Sequence, residues 1–226
     1  VDIWMPESYN ENEKYAVLYM HDGQMLFDAS TTWNKQEWRV DEIMSTLIAS
    51  EKIKKTIVVA IWNHSDIRWT DYYPHNPFFK YLPEKFRDSL VEVGKKQLGD
   101  KYIEFQSDYY LKFIVEELKP YIDSQYSVYT DLNNTVIAGA SMGGLISMYA
   151  ICEYPEIFGG AACLSTHWPG MMPFENNPLP ESFFSYMEEN LPSPEKHRIY
   201  FDYGTETLDE SYLPYQHRVN AVLNKR

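Results

Sequence analysis

The sequence has few cysteines and no long hydrophobic run. Cys152 and Cys163 are the only cysteines in 226 residues, which is too few for a disulfide framework and lacks the spacing of a zinc site. The longest apolar runs, such as residues 57–62, are about a third of the roughly 20 residues that a transmembrane helix needs. These shortages argue against a disulfide-stabilised scaffold, a structural zinc site and a membrane span.

Basic residues are also scarce. The chain has 20 Lys and Arg against 33 Asp and Glu, a formal net charge of −13. Clusters no larger than Lys54-Lys55 argue against nucleic acid as a partner, because affinity for a phosphate backbone depends on grouped Lys and Arg. Hydrophobic residues make up 44% of the chain, which excludes intrinsic disorder and fits one globular domain over residues 1–226.

The first residues, 1–4, resemble a strand already under way, with no charged leader and no signal-peptide core before them. We expect a periplasmic or secreted protein whose export signal lies outside this sequence. The sequence specifies no oligomeric state.

Short apolar runs alternate with amphipathic helical patterns along the chain. Helical patterns cover residues 40–48 and 111–122, the second with Ser107 as its expected N-cap. Alternation of this kind predicts an α/β fold, in which a mainly parallel sheet has helices on both faces. The predicted strands are residues 16–20, 56–61, 135–138, 160–164 and 198–201.

An aromatic-rich insertion at about residues 63–106 interrupts this alternation. A connection of this length is seldom a simple linker. Two interpretations stay open: a cap over a pocket, or a surface insertion whose aromatic side chains pack on the edge of the sheet.

Ser141 is the central residue of Gly139-Ala140-Ser141-Met142-Gly143, which matches the G-x-S-x-G nucleophile elbow. A predicted strand precedes the motif and a predicted helix follows it, as the elbow requires. Glycine at both flanks is expected to allow the close approach of a sharp turn. The backbone amide of Met142, at the positive end of the helix, can then stabilise an oxyanion.

A second turn follows the strand at residues 16–20. Enzymes with this motif supply their other oxyanion amide from such a turn, and the backbone N–H of Gln24 is the candidate. His21, in the same turn, resembles a catalytic base, but a local hydrogen bond that holds the loop is the favoured interpretation.

The catalytic acid is expected after the strand at residues 198–201. Gly204 provides the bend, and Asp209 or Glu206 follows it. Asp209 is preferred, although either carboxylate could instead cap the next helix.

The expected order of a triad is serine, acid, histidine, and the only histidine after Asp209 is His217. On a helix whose apolar stripe includes Val219 and Val222, His217 faces solvent. We therefore expect the catalytic histidine, and a last strand before it, to lie outside the sequence. His64 and His167 follow predicted strands and could substitute, but a binding or packing role is favoured for both.

Four segments together resemble the putative esterase family of α/β-hydrolases, which includes esterase D, the feruloyl and acetylxylan esterases, the enterochelin esterases and the mycolyltransferases. They are VLYMHDGQMLFD (17–28), IVVAIWN (57–63), GASMGG (139–144) and GTETLD (204–209). The resemblance implies an α/β-hydrolase fold, Ser141 as nucleophile, the amides of Gln24 and Met142 as oxyanion hole, and Asp209 as acid.

The resemblance further implies a serine esterase that forms an acyl-enzyme and needs no cofactor or metal. The expected substrates are small-molecule or carbohydrate esters of sugars, phenolic acids or siderophore-like compounds. An acyltransferase and a binding module without catalysis are the alternatives, and the chain is inactive if its histidine is absent. The side chains expected to line the substrate pocket are His21, Trp33, Trp62, His64, His167 and Trp168.

Overall fold

The computed structural model describes residues 1–99, 104–171 and 175–225. Its centre is a six-stranded sheet with the order β1-β3-β2-β4-β5-β6. Strand β1 pairs antiparallel with β3, and all other neighbours pair in parallel. The strands are β1 (Asp2–Trp4), β2 (Ala16–His21), β3 (Thr56–Ile61), β4 (Thr135–Ala140), β5 (Gly160–Leu164) and β6 (Arg198–Phe201).

The predicted α/β architecture is confirmed. The strands predicted at residues 56–61, 160–164 and 198–201 match residue for residue, and β2 and β4 run slightly past their predicted ends. The α-helices of the described residues are α1 (Val40–Ala49), α2 (Arg68–Tyr72), α3 (Glu84–Leu98), α4 (Ser107–Phe113), α5 (Lys119–Gln125), α6 (Met142–Glu153), α7 (Leu179–Asn190) and α8 (Leu213–Leu223).

Alternate side chains of the strands enter two separate cores. Tyr19 and Val59 belong to the larger core, whereas Met20 and Val58 belong to a smaller one on the other face. This alternation follows from the two-residue period of a strand, which points successive side chains to opposite faces of the sheet. Helix α6 packs against β4 and β5 and is buried from Met142 to Cys152, so it is the central helix of the larger core.

The expected N-cap at Ser107 is wrong. Gln106 occupies the N-cap position of α4, and Ser107 is the first helical residue. The Ser107 hydroxyl accepts a hydrogen bond from the backbone N–H of His75 at 3.0 Å. Its side chain therefore joins the helix to the aromatic-rich insertion instead of capping the helix.

The aromatic-rich insertion is folded where the structure describes it. It contains α2, a π-helical turn (Pro77–Tyr81) and α3. Tyr72, Tyr73 and Phe78 are buried in the larger core. The ring of Tyr73 stacks on that of Phe105, with ring centroids 4.5 Å apart. These rings pack within the domain, while residues 100–103 lie outside the described residues.

Strand β6 is an edge strand of the described sheet. Because β2 to β6 are parallel, their carboxyl ends meet at one edge, where ligands bind in open α/β sheets. Among the described residues, no helix is both long and apolar enough to cross a bilayer.

Candidate active site

Ser141 lies in a strained turn between β4 and α6. Its backbone angles are φ 59° and ψ −118°, which a residue with a side chain adopts only when its surroundings enforce them. Four backbone hydrogen bonds do so. The N–H of Ser141 donates to Leu164 (2.9 Å), and its carbonyl accepts from Gly144 (3.0 Å), Leu145 (3.3 Å) and His167 (3.1 Å). The serine is thus fixed between the central helix and the loop after β5.

The glycines around Ser141 are not equivalent. A Cβ on Gly139 would lie 2.7 Å from the carbonyl oxygen of Gly143. This distance is too short for a real contact, so only glycine fits at position 139. A Cβ on Gly143 would lie 3.4 Å from a carboxylate oxygen of Asp22, which is ordinary contact. The expectation that both flanks require glycine is therefore wrong for Gly143. Instead, Gly144 is tightly enclosed, since a Cβ there would lie 2.7 Å from the Thr166 hydroxyl.

The turn after β2 approaches the first turn of α6. Asp22 adopts the left-handed conformation with φ 57° and ψ 42°, and a 3-10 turn (Gly23–Met25) follows. The N–H of Met25 donates to the Asp22 carbonyl at 2.8 Å. Gly23 must be glycine, because a Cβ would lie 2.6 Å from the carbonyl carbon of Ala60.

The backbone amides of Met142, next to Ser141, and of Gln24, in the turn after β2, are the candidate oxyanion donors. Met142 is the first residue of α6, and amides of the first helical turn have no acceptor within their own helix. The N–H groups of Met142 and Gln24 donate to no acceptor in residues 1–99, 104–171 and 175–225. Amides of this kind, at a helix N-terminus, stabilise negative charge.

His21 does not form the expected local hydrogen bond. Its side chain is 1% exposed, and Nδ1 pairs with the hydroxyl of Tyr110 in α4 at 2.7 Å. Its Nε2 is buried and has no partner among the described residues. Burial lowers the pKa of His21 to about 4, so the imidazole is neutral at neutral pH and lies beneath the surface of the site.

Asp209 and Glu206 occupy different environments. Asp209 is half-buried within a 3-10 helix (Thr207–Tyr212), and its Oδ2 accepts a hydrogen bond from the N–H of Gly204 at 2.8 Å. Glu206 is exposed at the N-cap of that helix, where its side chain makes no capping hydrogen bond. Asp202 accepts a hydrogen bond from the N–H of Ser165 at 2.8 Å. Asp202 therefore joins the loops after β5 and β6.

The structure brings His167 close to Ser141 and Tyr212. Its N–H donates to the Ser141 carbonyl at 3.1 Å, and its Nδ1 pairs with the hydroxyl of Tyr212 at 2.7 Å. Burial lowers the pKa of His167, and the negative charge of Asp209 opposes that shift. No described histidine forms a hydrogen bond with the Ser141 hydroxyl.

The two other histidines of interest lie on the surface. His217 is exposed on α8, opposite the buried Val219 and Val222, as its helical position predicts. His64 is exposed, and its carbonyl accepts from the N–H of Arg68 at 2.8 Å where α2 begins.

The three tryptophans proposed to line the pocket differ in exposure. Trp33 is 86% exposed and Trp62 is 49% exposed. The indole of Trp62 donates to the carboxylate of Asp2 at 2.8 Å. Trp168 is only 1% exposed, and its ring packs against Phe183, Phe184 and Phe201. Trp168 is therefore a core residue and presents no free face to a ligand.

A cavity of about 680 Å³ lies at the end of α6 away from Ser141. Its lining includes His75, Phe105, Asp108, Glu153 and Tyr154. Because α6 starts beside Ser141 and ends at Glu153, this cavity is separate from the candidate site. In the described part of the chain, no three or more His, Cys, Asp and Glu side chains are grouped as a metal would require.

Sequence reasoning overlooked Arg68, whose guanidinium pairs with the Asp22 carboxylate. The two residues are 46 positions apart, and only Asp22 lies in a segment that carries the family resemblance. The only signal was an arginine in the aromatic-rich insertion, and such a signal predicts no particular partner.

Curated relatives match most of this chain but smaller parts of their own length. An endo-1,4-beta-xylanase/feruloyl esterase of Xylanibacter ruminicola is 28% identical over 169 residues, or 73% of this chain and 19% of that protein. The uncharacterized protein YbbA of Bacillus subtilis is 24% identical over 170 residues, or 74% of this chain and 56% of YbbA. The chain thus spans little more than half of one relative and a fifth of the other.

Solved structures cover nearly the whole chain. The enterobactin esterase FES of Shigella flexneri superposes with a TM-score of 0.65 at 16% identity, over 99% of this chain and 46% of FES. A ferulic acid esterase superposes with a TM-score of 0.62 at 19% identity, over 99% of this chain and 78% of that protein. The BES protein of Bacillus cereus superposes with a TM-score of 0.63 at 16% identity, over 98% of this chain and 76% of the BES protein. At these identities the likeness shows the fold alone, which is that of the α/β-hydrolases.

The sequence model of the family described as Putative esterase matches residues 1–220, almost the entire chain. This match agrees with the sheet topology and with the sharp turn at Ser141 between β4 and α6. The chain belongs to the Putative esterase family of α/β-hydrolases.

Proposed function

We propose that this protein is a serine carboxylic-ester hydrolase that acts through an acyl-enzyme. The observation that carries the proposal is the backbone of Ser141, held at φ 59° at the start of the central helix. A strained residue persists only where its surroundings enforce it, and such residues concentrate at functional sites. Membership of an esterase family supports the same chemistry.

In the proposed reaction, Oγ of Ser141 attacks the ester carbonyl carbon and loses its proton to a general base. The carbonyl oxygen becomes negatively charged, and the N–H groups of Gln24 and Met142 donate to it. The tetrahedral intermediate collapses, and the alcohol leaves with the proton from the base. Water then attacks the acyl-enzyme by the same route and releases the carboxylic acid.

Asp209 is the proposed acid of the triad. It is half-buried, and its charge acts on His167 beside Ser141. Glu206 is the alternative, but its exposed position favours solvation over orientation of a histidine. A carboxylate in this role orients the imidazole and stabilises the imidazolium that forms when the base takes the serine proton.

The proposed substrates are small-molecule or carbohydrate esters, including those of phenolic acids and siderophore-like compounds. Two similar proteins carry the names feruloyl esterase and enterobactin esterase. The exposed rings of Trp33 and Trp62 offer surfaces on which a sugar or phenolic ring can stack. An acyltransferase would use the same acyl-enzyme, and is distinguished by an acceptor alcohol that competes with water.

A binding module is the second candidate function. One observation favours it: within the described ranges no histidine is hydrogen-bonded to the Ser141 hydroxyl. Without a base the elbow would keep its shape but would not turn over an ester.

Hydrolysis of a panel of acetyl, feruloyl and p-nitrophenyl esters tests the proposal. We expect a pre-steady-state burst of alcohol, and a fall of about 10⁴-fold or more in kcat for Ser141→Ala. Ser124→Ala, which changes an exposed serine, is the matched control and should retain activity. Ester binding without turnover in the wild type would contradict the hydrolase proposal and favour the binding module.

A further inference from the structure

Arg68 and Asp22 form a mostly buried ion pair beside the candidate site. Nε of Arg68 lies 2.7 Å from Oδ1 of Asp22, and Nη2 lies 2.8 Å from Oδ2. The two side chains are 29% and 14% exposed. Bidentate pairing of this kind fixes the orientation of both groups as well as their separation.

Two further residues of the same segment hold the turn after β2. The side-chain amide of Asn63 donates to Oδ1 of Asp22, and the N–H of Asn63 donates to Oε1 of Gln24 at 3.3 Å. The hydroxyl of Tyr72 accepts from the N–H of Asp22 at 3.2 Å. The Arg68 guanidinium stacks on the Tyr72 ring at 5.0 Å. We call Asp22, Asn63, Arg68 and Tyr72 the Asp22 clamp.

The clamp acts on the residue whose backbone determines the direction of the turn. Asp22 adopts φ 57° immediately before the 3-10 turn that contains Gln24. The left-handed conformation is less costly for Asp than for most residues with a side chain, and the contacts of the clamp stabilise it further. The carboxylate of Asp22 also lies against the first turn of α6, 3.4 Å from where a Cβ on Gly143 would be. The clamp therefore contacts both elements that carry the proposed oxyanion amides.

We infer that Arg68 is a positioning residue: by holding Asp22 in its left-handed conformation, it directs the N–H of Gln24 toward the oxyanion. This inference rests on the proposed function, since the oxyanion arises only if Ser141 attacks an ester. The orientation of Asp22 depends on the bidentate geometry of the guanidinium, and a positive charge without that geometry is not sufficient. Oxyanion donors stabilise a transition state only when they are already aligned with it.

Charge alone is the competing explanation for an effect of Arg68. Its positive charge acts as far as His167, whose pKa it helps to lower. Arg68→Lys keeps the charge but cannot form the bidentate pair, so it separates the two explanations. Arg68→Met removes both. Arg218→Met is the matched control, because Arg218 on α8 pairs with Glu181 on α7 and not with a residue of the clamp.

The first measurement is the rate at which a fluorophosphonate phosphonylates Ser141. We expect Arg68→Met and Arg68→Lys each to slow labelling by about 10²-fold, comparable with the loss of one oxyanion donor. Arg218→Met should label at the wild-type rate. Labelling of Arg68→Lys at the wild-type rate would overturn the geometric role.

A buried carboxylate left unpaired can unfold a protein. The double variant Asp22→Asn/Arg68→Met removes both charges and is expected to fold, as monitored by its melting temperature, yet to label slowly. Recovery of the wild-type rate in this variant would mean that Arg68 serves only as a counter-ion, and the inference would be wrong.

Hydrogen exchange of the peptide over residues 22–26 provides a measurement that does not depend on catalysis. We expect faster exchange there in Arg68→Met and Arg68→Lys than in wild type and Arg218→Met. If wild type is not labelled at all, the proposed function fails, while this exchange still reports on the clamp. Unchanged exchange in both Arg68 variants overturns the clamp whatever the labelling shows.

Discussion

The segments that follow β4 and β6 leave the same edge of the sheet but are held in different ways. Ser141, after β4, has its backbone N–H and carbonyl bonded to β5, to α6 and to the loop after β5, and close glycines surround it. After β6, residues 203–208 are largely exposed, and the N–H of Gly204 bonds to the side chain of Asp209. The turn at Ser141 is thus held by backbone contacts, whereas the loop after β6 is held by the side chains of Asp209 and Ser211.

This difference implies that the two regions respond differently to substitution. Backbone contacts restrict a residue's conformation regardless of which side chain it carries, whereas a loop held by a carboxylate changes when that carboxylate changes. Ser141, the proposed nucleophile, should therefore tolerate changes in neighbouring side chains better than Asp209, the proposed acid, does. Three pairs of variants test this contrast.

The largest effect is expected for the acid. Asp209→Asn should lower kcat for ester hydrolysis by about 10⁴-fold, the loss seen when a triad acid no longer orients its histidine. Glu206→Gln, an exposed neighbour in the same loop, is the matched control and should stay near the wild-type rate. Steady-state kinetics on a p-nitrophenyl ester provide the measurement. The reverse order of the two variants would assign the acid to Glu206.

The second prediction concerns how the stability of the protein depends on pH through His21, which lies next to the first turn of α6. Its folded-state pKa is lowered from 6.5 to about 4 by burial. Between these values the unfolded chain binds a proton that the folded chain does not, so stability is complete above pH 6.5 and falls as the pH drops to about 4. The expected loss is about 3 kcal/mol.

Urea unfolding at a series of pH values measures this loss. His21→Asn should flatten the dependence of the unfolding free energy on pH in that window. His217→Asn on the exposed face of α8 controls for the loss of a histidine as such and should retain the wild-type slope. An unchanged slope in His21→Asn would show that His21 does not cause the dependence.

The smallest effect is a difference in unfolding free energy between variants of the two glycines that flank Ser141. Gly139→Ala places a Cβ against the backbone of Gly143 and should cost about 1–3 kcal/mol of unfolding free energy. Gly143→Ala meets ordinary contacts and should be neutral or stabilise by up to about 1 kcal/mol, as alanine does in a helix. Denaturant titration measures both, and equal costs would contradict the asymmetry.

Features that depend on short stretches of chain could be predicted from the sequence. The strands from β2 to β6 have continuous apolar runs, and the Ser141 elbow combines a strand, a five-residue motif and a helix. The exposed position of His217 followed from helical periodicity alone. In each case neighbouring residues determine the structure, so the pattern is visible in the sequence.

Features that depend on pairing between distant segments could not be predicted. His21 pairs with Tyr110, which is 89 positions away, and Asp22 pairs with Arg68 across 46 positions. Trp168 resembles a ligand-stacking residue in sequence but is buried by α7 and β6. No local pattern specifies these partners, because they are brought together only by the packing of the insertion and helices on the sheet.

The central claim is that the Ser141 hydroxyl is an activated nucleophile. The most direct measurement is to treat the protein with a fluorophosphonate and locate the adduct by peptide mass spectrometry. We expect one adduct, on Ser141, that is lost in Ser141→Ala and kept in Ser124→Ala. Equal labelling of wild type and Ser141→Ala, or an adduct on another serine, would contradict the claim.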